Sequence, residues 1–281
     1  MTLTALVLMV GSAFAHAGWN YLAKRVRGAS AFLWMSTAAA VVLYAPLAAT
    51  VLVLARPALG PLAFGFMAGS AVLHLTYFVL LLRGYAVGDL SLVYPLARAT
   101  GPLLAALGGV ALLAERPSPA AIGGILLIGA GGVVASSERR PGSLRAVAYA
   151  LLTGVLIAAY TVWDKQAVSG LRVPPLVYLW GMEVGLLLLL SARMLTRRDE
   201  VLATWRTHRR EAVLVGVLSP LAYVLVLTAL AIAPVYLVAG REVGLLIGTI
   251  MGIRLLGEEG ARRRLPASAA MVVGIGLLAV G

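Results

Sequence analysis

Four ionisable residues, Arg98, Glu183, Arg241 and Glu242, stand inside long apolar stretches of this chain rather than beside them. An ionised group at membrane depth is costly unless it is paired or wetted, so such residues face a partner or a water-filled path and often mark where solutes bind. Three roles are open to them: internal ion pairing, for example Arg98 with Glu183 or Glu242; direct contact with a charged ligand; or snorkelling to the membrane interface. Aromatic and polar groups occur at related places: His16, Trp19 and Asn20; His74 and Tyr77; Tyr94; Tyr160 and Trp163; Tyr223 and Tyr236. Rings lining a cavity would hold an apolar or aromatic solute by area burial and stacking. His74 and Tyr77 lie deep in an apolar run, whereas Trp163, followed by Asp164 and Lys165, has the composition of an interfacial belt at a helix end.

The same inventory excludes most catalysis. The chain has no cysteine, hence no thiolate nucleophile, disulfide or Cys-based metal site. His16, His74 and His208 are not spaced as metal ligands, and no Gly-x-Ser-x-Gly elbow is present. No enzyme activity, metal or cofactor is expected.

What must position these residues is a set of membrane helices. Hydrophobic residues make up 61% of the chain and charged ones 12%, with a mean hydropathy of +0.97, whereas a soluble domain is about half apolar and about a quarter charged. At about 20 residues per span, the 281 residues hold roughly ten helices and no soluble domain. The expected spans are Leu3 to Leu22, Ala31 to Leu54, Pro61 to Leu82, Leu90 to Leu113, Ala120 to Ser136, Leu144 to Ala167, Pro174 to Leu195, Glu211 to Leu230, Ala233 to Leu256 and Leu265 to Val280. The first run ends in Ala13-Phe14-Ala15-His16-Ala17, which imitates a cleaved secretory signal but lacks a basic start, and is expected to stay as the first helix.

The formal charge of +12 fits basic cytoplasmic loops better than nucleic-acid binding. Loops after the odd-numbered spans carry sixteen Lys and Arg, from Lys24 to Arg264, against four, Arg56, Arg116, Lys165 and Arg172, on the other face. The positive-inside rule makes the first set cytoplasmic and places both termini outside the cytoplasm, with the inner membrane as the expected location.

The chain also repeats itself. Displacement by 143 residues lays Arg98 on Arg241, Gly101 on Gly244, Leu103 on Leu246, Gly109 on Gly252, Leu112 on Leu255, Leu113 on Leu256 and Glu115 on Glu258. Residues 1–140 and 141–281 thus read as two five-helix halves. Five is odd, so the second half is threaded in the opposite sense, an inverted repeat of the kind transporters use to open one site to either side. Gly240, Gly244, Gly248 and Gly252 recur every fourth residue in span 9, and Ala97, Gly101, Ala105 and Gly109 match them in span 4. Such stripes let helices approach closely in lipid, so spans 4 and 9 are expected to cross tightly.

The stretch Gly88-Asp89-Leu90-Ser91-Leu92-Val93-Tyr94-Pro95-Leu96-Ala97-Arg98, then Gly101-Pro102 and Leu113-Ala114-Glu115-Arg116-Pro117, with Leu256-Gly257-Glu258 in the second half, resembles the drug/metabolite transporter superfamily. The resemblance is to its ten-helix EamA type, in which a Glu closes the fourth helix of each half. Within it the chain is most similar to exporters of amino acids and related metabolites, such as the YddG-type exporters of aromatic and neutral amino acids. The resemblance implies an all-α integral membrane protein of ten transmembrane helices, two inverted five-helix EamA repeats around a central cavity, exporting its substrate by alternating access. Drugs, sugars and purine-related compounds are the alternative cargo, and an intramembrane enzyme or a non-transporting scaffold are the competing classes. The superfamily's four-helix members exchange protons on a carboxylate in the first helix, and the first span here has none, which leaves passive export open. The expected partners are a small-molecule substrate and membrane lipid, with the chain a monomer or weak homodimer.

Overall fold

Apolar runs of more than 18 residues bounded by charge, Pro or Gly become helices because, in lipid, only a helix or a closed barrel satisfies every backbone N–H and C=O internally. The computed structural model describes residues 3–26, 30–87, 90–136, 144–194, 196–242, 244 and 261–280, and all regular structure among them is helical. The elements are α1 (Leu3–Arg25), α2 (Ser30–Ala55), α3 (Pro61–Val87), α4 (Leu90–Leu113), α5 (Pro119–Ser136), α6 (Leu144–Lys165), α7 (Pro175–Met194), α8 (Arg198–Ile232) and α9 (Ala261–Val280). A π-turn, Gln166–Gly170, continues α6, and a 3₁₀ helix, Val235–Glu242, follows α8. Among the described residues seven helices are long and apolar enough to cross a membrane, and two shorter apolar helices lie at Pro119–Gly131 and Ala269–Leu278. Leu43, Leu47, Val53 and Leu54 of α2 and Leu188 of α7 are exposed, as residues facing lipid would be. The chain therefore fits a multi-pass membrane protein.

Three departures from the sequence expectations concern helix bounds. Span 8 was expected to begin at Glu211, but α8 starts at Arg198. Asp199 and Glu200 occupy its first turn, and the helix breaks at His208, where φ is −129° and ψ 21°. Acidic groups at a helix N-terminus complement the dipole, so this charged segment is helical although nothing apolar demands it. Span 9 does not open as an α-helix but as the 3₁₀ turn after Pro234; Gly244 is helical, and most of the rest of the span lies outside the described residues. Span 6 was expected to stop near Ala167, and its backbone instead loosens into the π-turn.

Helices pack in a definite set. α1 lies on α8; α2 on α7 and α8; α3 on α6 and α7; α4 on α5, α6 and the 3₁₀ helix; α5 on α9; and the 3₁₀ helix also touches α1 and α9. Exchanging α1 with α6, α2 with α7, α3 with α8, α4 with the 3₁₀ helix and α5 with α9 returns these pairings, whereas the contacts of α7 with α8 and of α5 with the 3₁₀ helix have no comparable counterpart among the described residues. Small residues set the separations: a Cβ on Gly101 would come within 2.6 Å of Ile157 Cγ2, tying α4 to α6, and one on Gly124 would meet the Gly274 carbonyl at 2.5 Å, tying α5 to α9.

The glycine stripe needs correction. Gly101 faces α6, and Gly244 faces Ala13 of α1 at 3.4 Å, so α4 and the 3₁₀ helix meet without these two glycines between them. Gly109 is compressed instead by a carboxylate, its added Cβ falling 2.6 Å from Glu115 Oε2. At Gly240, which is buried, a Cβ would meet no described atom within 4 Å. Gly248 and Gly252 lie outside the described residues.

Candidate functional site

Two buried polar clusters occupy the interior where α1, α3, α4, α6, α8 and the 3₁₀ helix converge. The first begins with local geometry. A 3₁₀ helix has three residues per turn, so consecutive side chains splay by a third of a turn, and Arg241 and Glu242 leave the helix in different directions. Glu242 turns to α4, where Arg98 grips it with a two-point fork: Nη2 to Oε1 at 2.9 Å and Nε donating to Oε2 at 3.2 Å. The two side chains are 6% and 3% exposed. Bidentate guanidinium–carboxylate contact is among the stronger charge-assisted arrangements. Arg241 turns to α1 and donates through Nη2 to His16 Nδ1 at 3.0 Å; the Trp19 indole N–H donates to the same nitrogen at 3.0 Å. Both partners are donors only, so the ring proton of His16 sits on Nε2 and the ring is neutral.

Arg241 is thereby left without a carboxylate within 4 Å among the described residues. It is 7% exposed, and its Nε has no hydrogen-bond partner.

The second cluster is aromatic. His74 of α3 stacks on Tyr160 of α6 with centroids 4.2 Å apart, and Tyr223 of α8 meets His74 edge-on at 5.2 Å. Tyr77 closes on Tyr160 at 5.9 Å. His74 Nδ1 lies 2.9 Å from the Ser70 carbonyl, an acceptor only, so Nδ1 carries that ring's proton. Beneath the rings Asp164 is 0% exposed and accepts the hydroxyls of Tyr178, at 2.6 Å, and of Tyr223. Tyr160 joins the clusters, being within electrostatic reach of Arg98, Arg241, Glu242 and Asp164.

His16, Trp19, His74, Tyr77, Arg98, Tyr160, Tyr223, Arg241 and Glu242 thus come together as the sequence reading grouped them, and Asn20, Trp163, Glu183 and Tyr236 have other contacts. Asn20 donates back to the His16 carbonyl of its own helix at 2.7 Å. Trp163 faces outward, 38% exposed, stacked on Phe66 at 4.5 Å and donating to the Phe66 carbonyl. It stands a helical step of about 100° from Asp164, enough to put one outside and the other in. Glu183 is not the partner of Arg98; it lies within electrostatic reach of Tyr44 on α2. Tyr236 packs with the cluster between α5 and α9. The side chain of Tyr94 lies outside the described residues.

Tyr178 is a functional candidate that the sequence does not mark, standing in a leucine-rich helix with nothing local to set it apart. Asp164 is visible in the sequence as a polar neighbour of Trp163 and Lys165, but in a context that leans toward an interfacial helix end.

At one end of the molecule Glu115 does what a helix cap does. Ala114 takes a left-handed φ of 54° at the close of α4, turning Glu115 so that both its carboxylate oxygens accept the Val235 backbone N–H, at 2.7 and 3.0 Å. Lys165 donates to the carbonyls of Leu230 and Ala233 at 2.7 and 2.8 Å, a cation on the last carbonyls of α8. Together they pin the turn from α8 into the 3₁₀ helix. An open cleft of about 390 Å³ lies there, lined by Leu112, Leu113, Ala114, Glu115, Lys165, Gln166, Ser169 and Gly170.

No protein-family model matches this chain, and no curated protein does. A solved structure, described only as "Crystal structure of protein", superposes on 100% of this chain and 98% of its own with a TM-score of 0.76 at 16% identity. At that identity the likeness shows the fold alone.

Proposed function

We propose that this chain is a transporter that exports small metabolites, amino acids foremost, by alternating access across the cell inner membrane. Its architecture in this reading is the EamA type of the drug/metabolite transporter superfamily, with inverted halves at 1–140 and 141–281. Support for the halves comes from the principal helix pairings, most of which survive exchange of the two sets of elements, and from the Arg98/Arg241 register.

The observation that carries the function is Arg241. A buried guanidinium with an unpartnered N–H and, among the described residues, no carboxylate within 4 Å of it is an incomplete ion pair, and a solute carboxylate would complete it. The rings of His74, Tyr77 and Tyr160 supply apolar and stacking area for a side chain. Arg98 has a different job here, because Glu242 already occupies its fork.

The test is counterflow in proteoliposomes, comparing labelled phenylalanine and leucine with phenethylamine, which lacks the carboxylate. Amino-acid exchange well above that of empty liposomes is expected, falling at least tenfold in Arg241→Gln while amine exchange changes little. Normal amino-acid exchange by a folded Arg241→Gln protein would remove the carboxylate role, and no exchange of any small metabolite by wild type would remove the transport reading.

A further inference from the structure

The buried carboxylate of Asp164 has no cation to hold it. Among the described residues no Lys, Arg or His nitrogen comes within 4 Å of it, and its closest partners are two phenol hydroxyls, Tyr178 from α7 and Tyr223 from α8, with the Ser70 hydroxyl as a further donor. His74 and Ser70 face it from α3. On its own helix Lys165 is turned to the α8 carbonyls, and Tyr160, one turn earlier, is what faces Arg98, Arg241 and Glu242 from α4 and the 3₁₀ helix.

The Tyr178 hydroxyl has a second acceptor. Its oxygen lies 2.6 Å from Asp164 Oδ1 and also 3.1 Å from the Phe66 carbonyl. A phenol has a single proton, so the two acceptors compete for it. With Asp164 ionised, that proton points to Oδ1. With Oδ1 protonated, the carboxylic O–H donates to the Tyr178 oxygen, and the phenol proton turns to the Phe66 carbonyl. Tyr223 donates to Oδ2 in both states. Every polar group is satisfied either way, with no heavy atom moved, which is what a site that gains and loses a proton requires and what a purely structural carboxylate does not.

From this arrangement we infer that Asp164 is a proton-exchange site, and that a proton taken up there drives substrate movement in the opposite direction. The balance is simple: a proton from water on one side converts carboxylate to carboxylic acid, and release to the other side restores it. Protonation exchanges two charge-assisted hydrogen bonds for neutral ones roughly half as strong. It therefore loosens the grip of α6 on α7 and α8 together. Those are the helices that would part to open the site, since Asp164 is sealed in this conformation. Lys165, the next residue, holds the turn at the end of α8, so a shift in α6 reaches that end directly. Proton coupling rests on the transport reading above; proton exchange at Asp164 does not.

Two measurements separate the claims. Infrared difference spectra of the lipid-reconstituted protein over a pH series are expected to show a carboxylic-acid carbonyl band that titrates and is missing in D164N. In Tyr178→Phe the carboxyl remains and one partner goes, so the band should persist at a shifted frequency. A pH series with no band that either variant removes or shifts would overturn the proton site, whether or not the chain transports. In proteoliposomes, an opposing proton gradient should raise net amino-acid flux severalfold over the ungraded rate in wild type, and that ratio should fall to one in D164N at whatever absolute rate. Wild-type counterflow indifferent to the gradient would overturn coupling and leave transport standing. A titrating band without any flux would overturn coupling and transport together and leave the proton site standing.

Discussion

The Arg98–Glu242 pair is the place where charge deletion should have an uneven cost. Removing one member of a buried ion pair strands the other and destabilises by about 3–5 kcal/mol. At 6% and 3% side-chain exposure neither group has water to fall back on. The two deletions are not equivalent, however. Glu242→Gln leaves Arg98 and Arg241 as two buried cations with, among the described residues, no carboxylate within 4 Å and should sit at the upper end of that range. Arg98→Gln leaves Glu242 within electrostatic reach of Arg241. That guanidinium can swing from His16 to replace the lost partner, so the cost should fall to about 2 kcal/mol, below the full penalty for a stranded charge. The same swing withdraws Arg241 from substrate, so Arg98→Gln should weaken amino-acid binding without ever touching it. The double variant Arg98→Gln/Glu242→Gln replaces the pair with two neutral amides and should return to within about 1 kcal/mol of wild type, a strongly non-additive cycle. Denaturation in mixed micelles, followed by tryptophan fluorescence and checked for reversibility, measures all three. Equal losses for the two single variants, or a double variant as unstable as the sum of the singles, would falsify the assignment of partners.

Three further outcomes follow from individual contacts. Gly101→Leu, whose Cβ alone would fall 2.6 Å from Ile157, should cost about 1–3 kcal/mol by overpacking, whereas Gly240→Ala should leave the melting temperature in detergent nearly unchanged; the reverse order would mean the packing faces are misassigned. Glu115→Ala frees the Val235 N–H, a loss comparable to a helix cap at about 0.5–2 kcal/mol, and should speed amide exchange across 235–242 specifically. A C-terminal reporter active only outside the cytoplasm should be on, as the distribution of Lys and Arg requires, and a reporter active only inside should be off.

Span positions were legible because they depend on a local quantity. The expected start or end of α1, α3, α4, α5, α6 and α9 falls within a few residues of the observed one, since an apolar run long enough to cross the membrane has no other way to satisfy its backbone. The charged residues at depth were legible for the same reason: Arg98, Arg241 and Glu242 violate the surrounding hydropathy. Their pairing was legible only as a choice, Glu242 or Glu183 for Arg98, and the structure takes Glu242. An α-helical span 9 would have set Arg241 and Glu242 about 100° apart; the 3₁₀ turn set by the chain after Pro234 widens this and sends one to α1 and the other to α4. Helical character upstream of His208 was hidden too, because acidic residues in a helix's first turn leave no trace in hydropathy.

Asp164 shows where reading along one chain stops. In Trp163-Asp164-Lys165 three successive residues belong to three environments: Trp163 lies on the outer face against Phe66, Asp164 in the sealed interior, and Lys165 on the carbonyls that end α8. Read locally, an aromatic, an acid and a base together look like the end of a helix at the interface. What separates them is the rotation of an α-helix that has not ended, since its backbone runs on into the π-turn through Gly170. The two hydroxyls that bury the acid come from residues 14 and 59 positions away, in α7 and α8, and neither tyrosine differs in its own sequence context from one facing lipid. The polarity of Asp164 could be seen from the sequence; its burial is a property of three helices meeting, and that meeting is what turns a surface-like carboxylate into a group whose protonation can be felt by all of them.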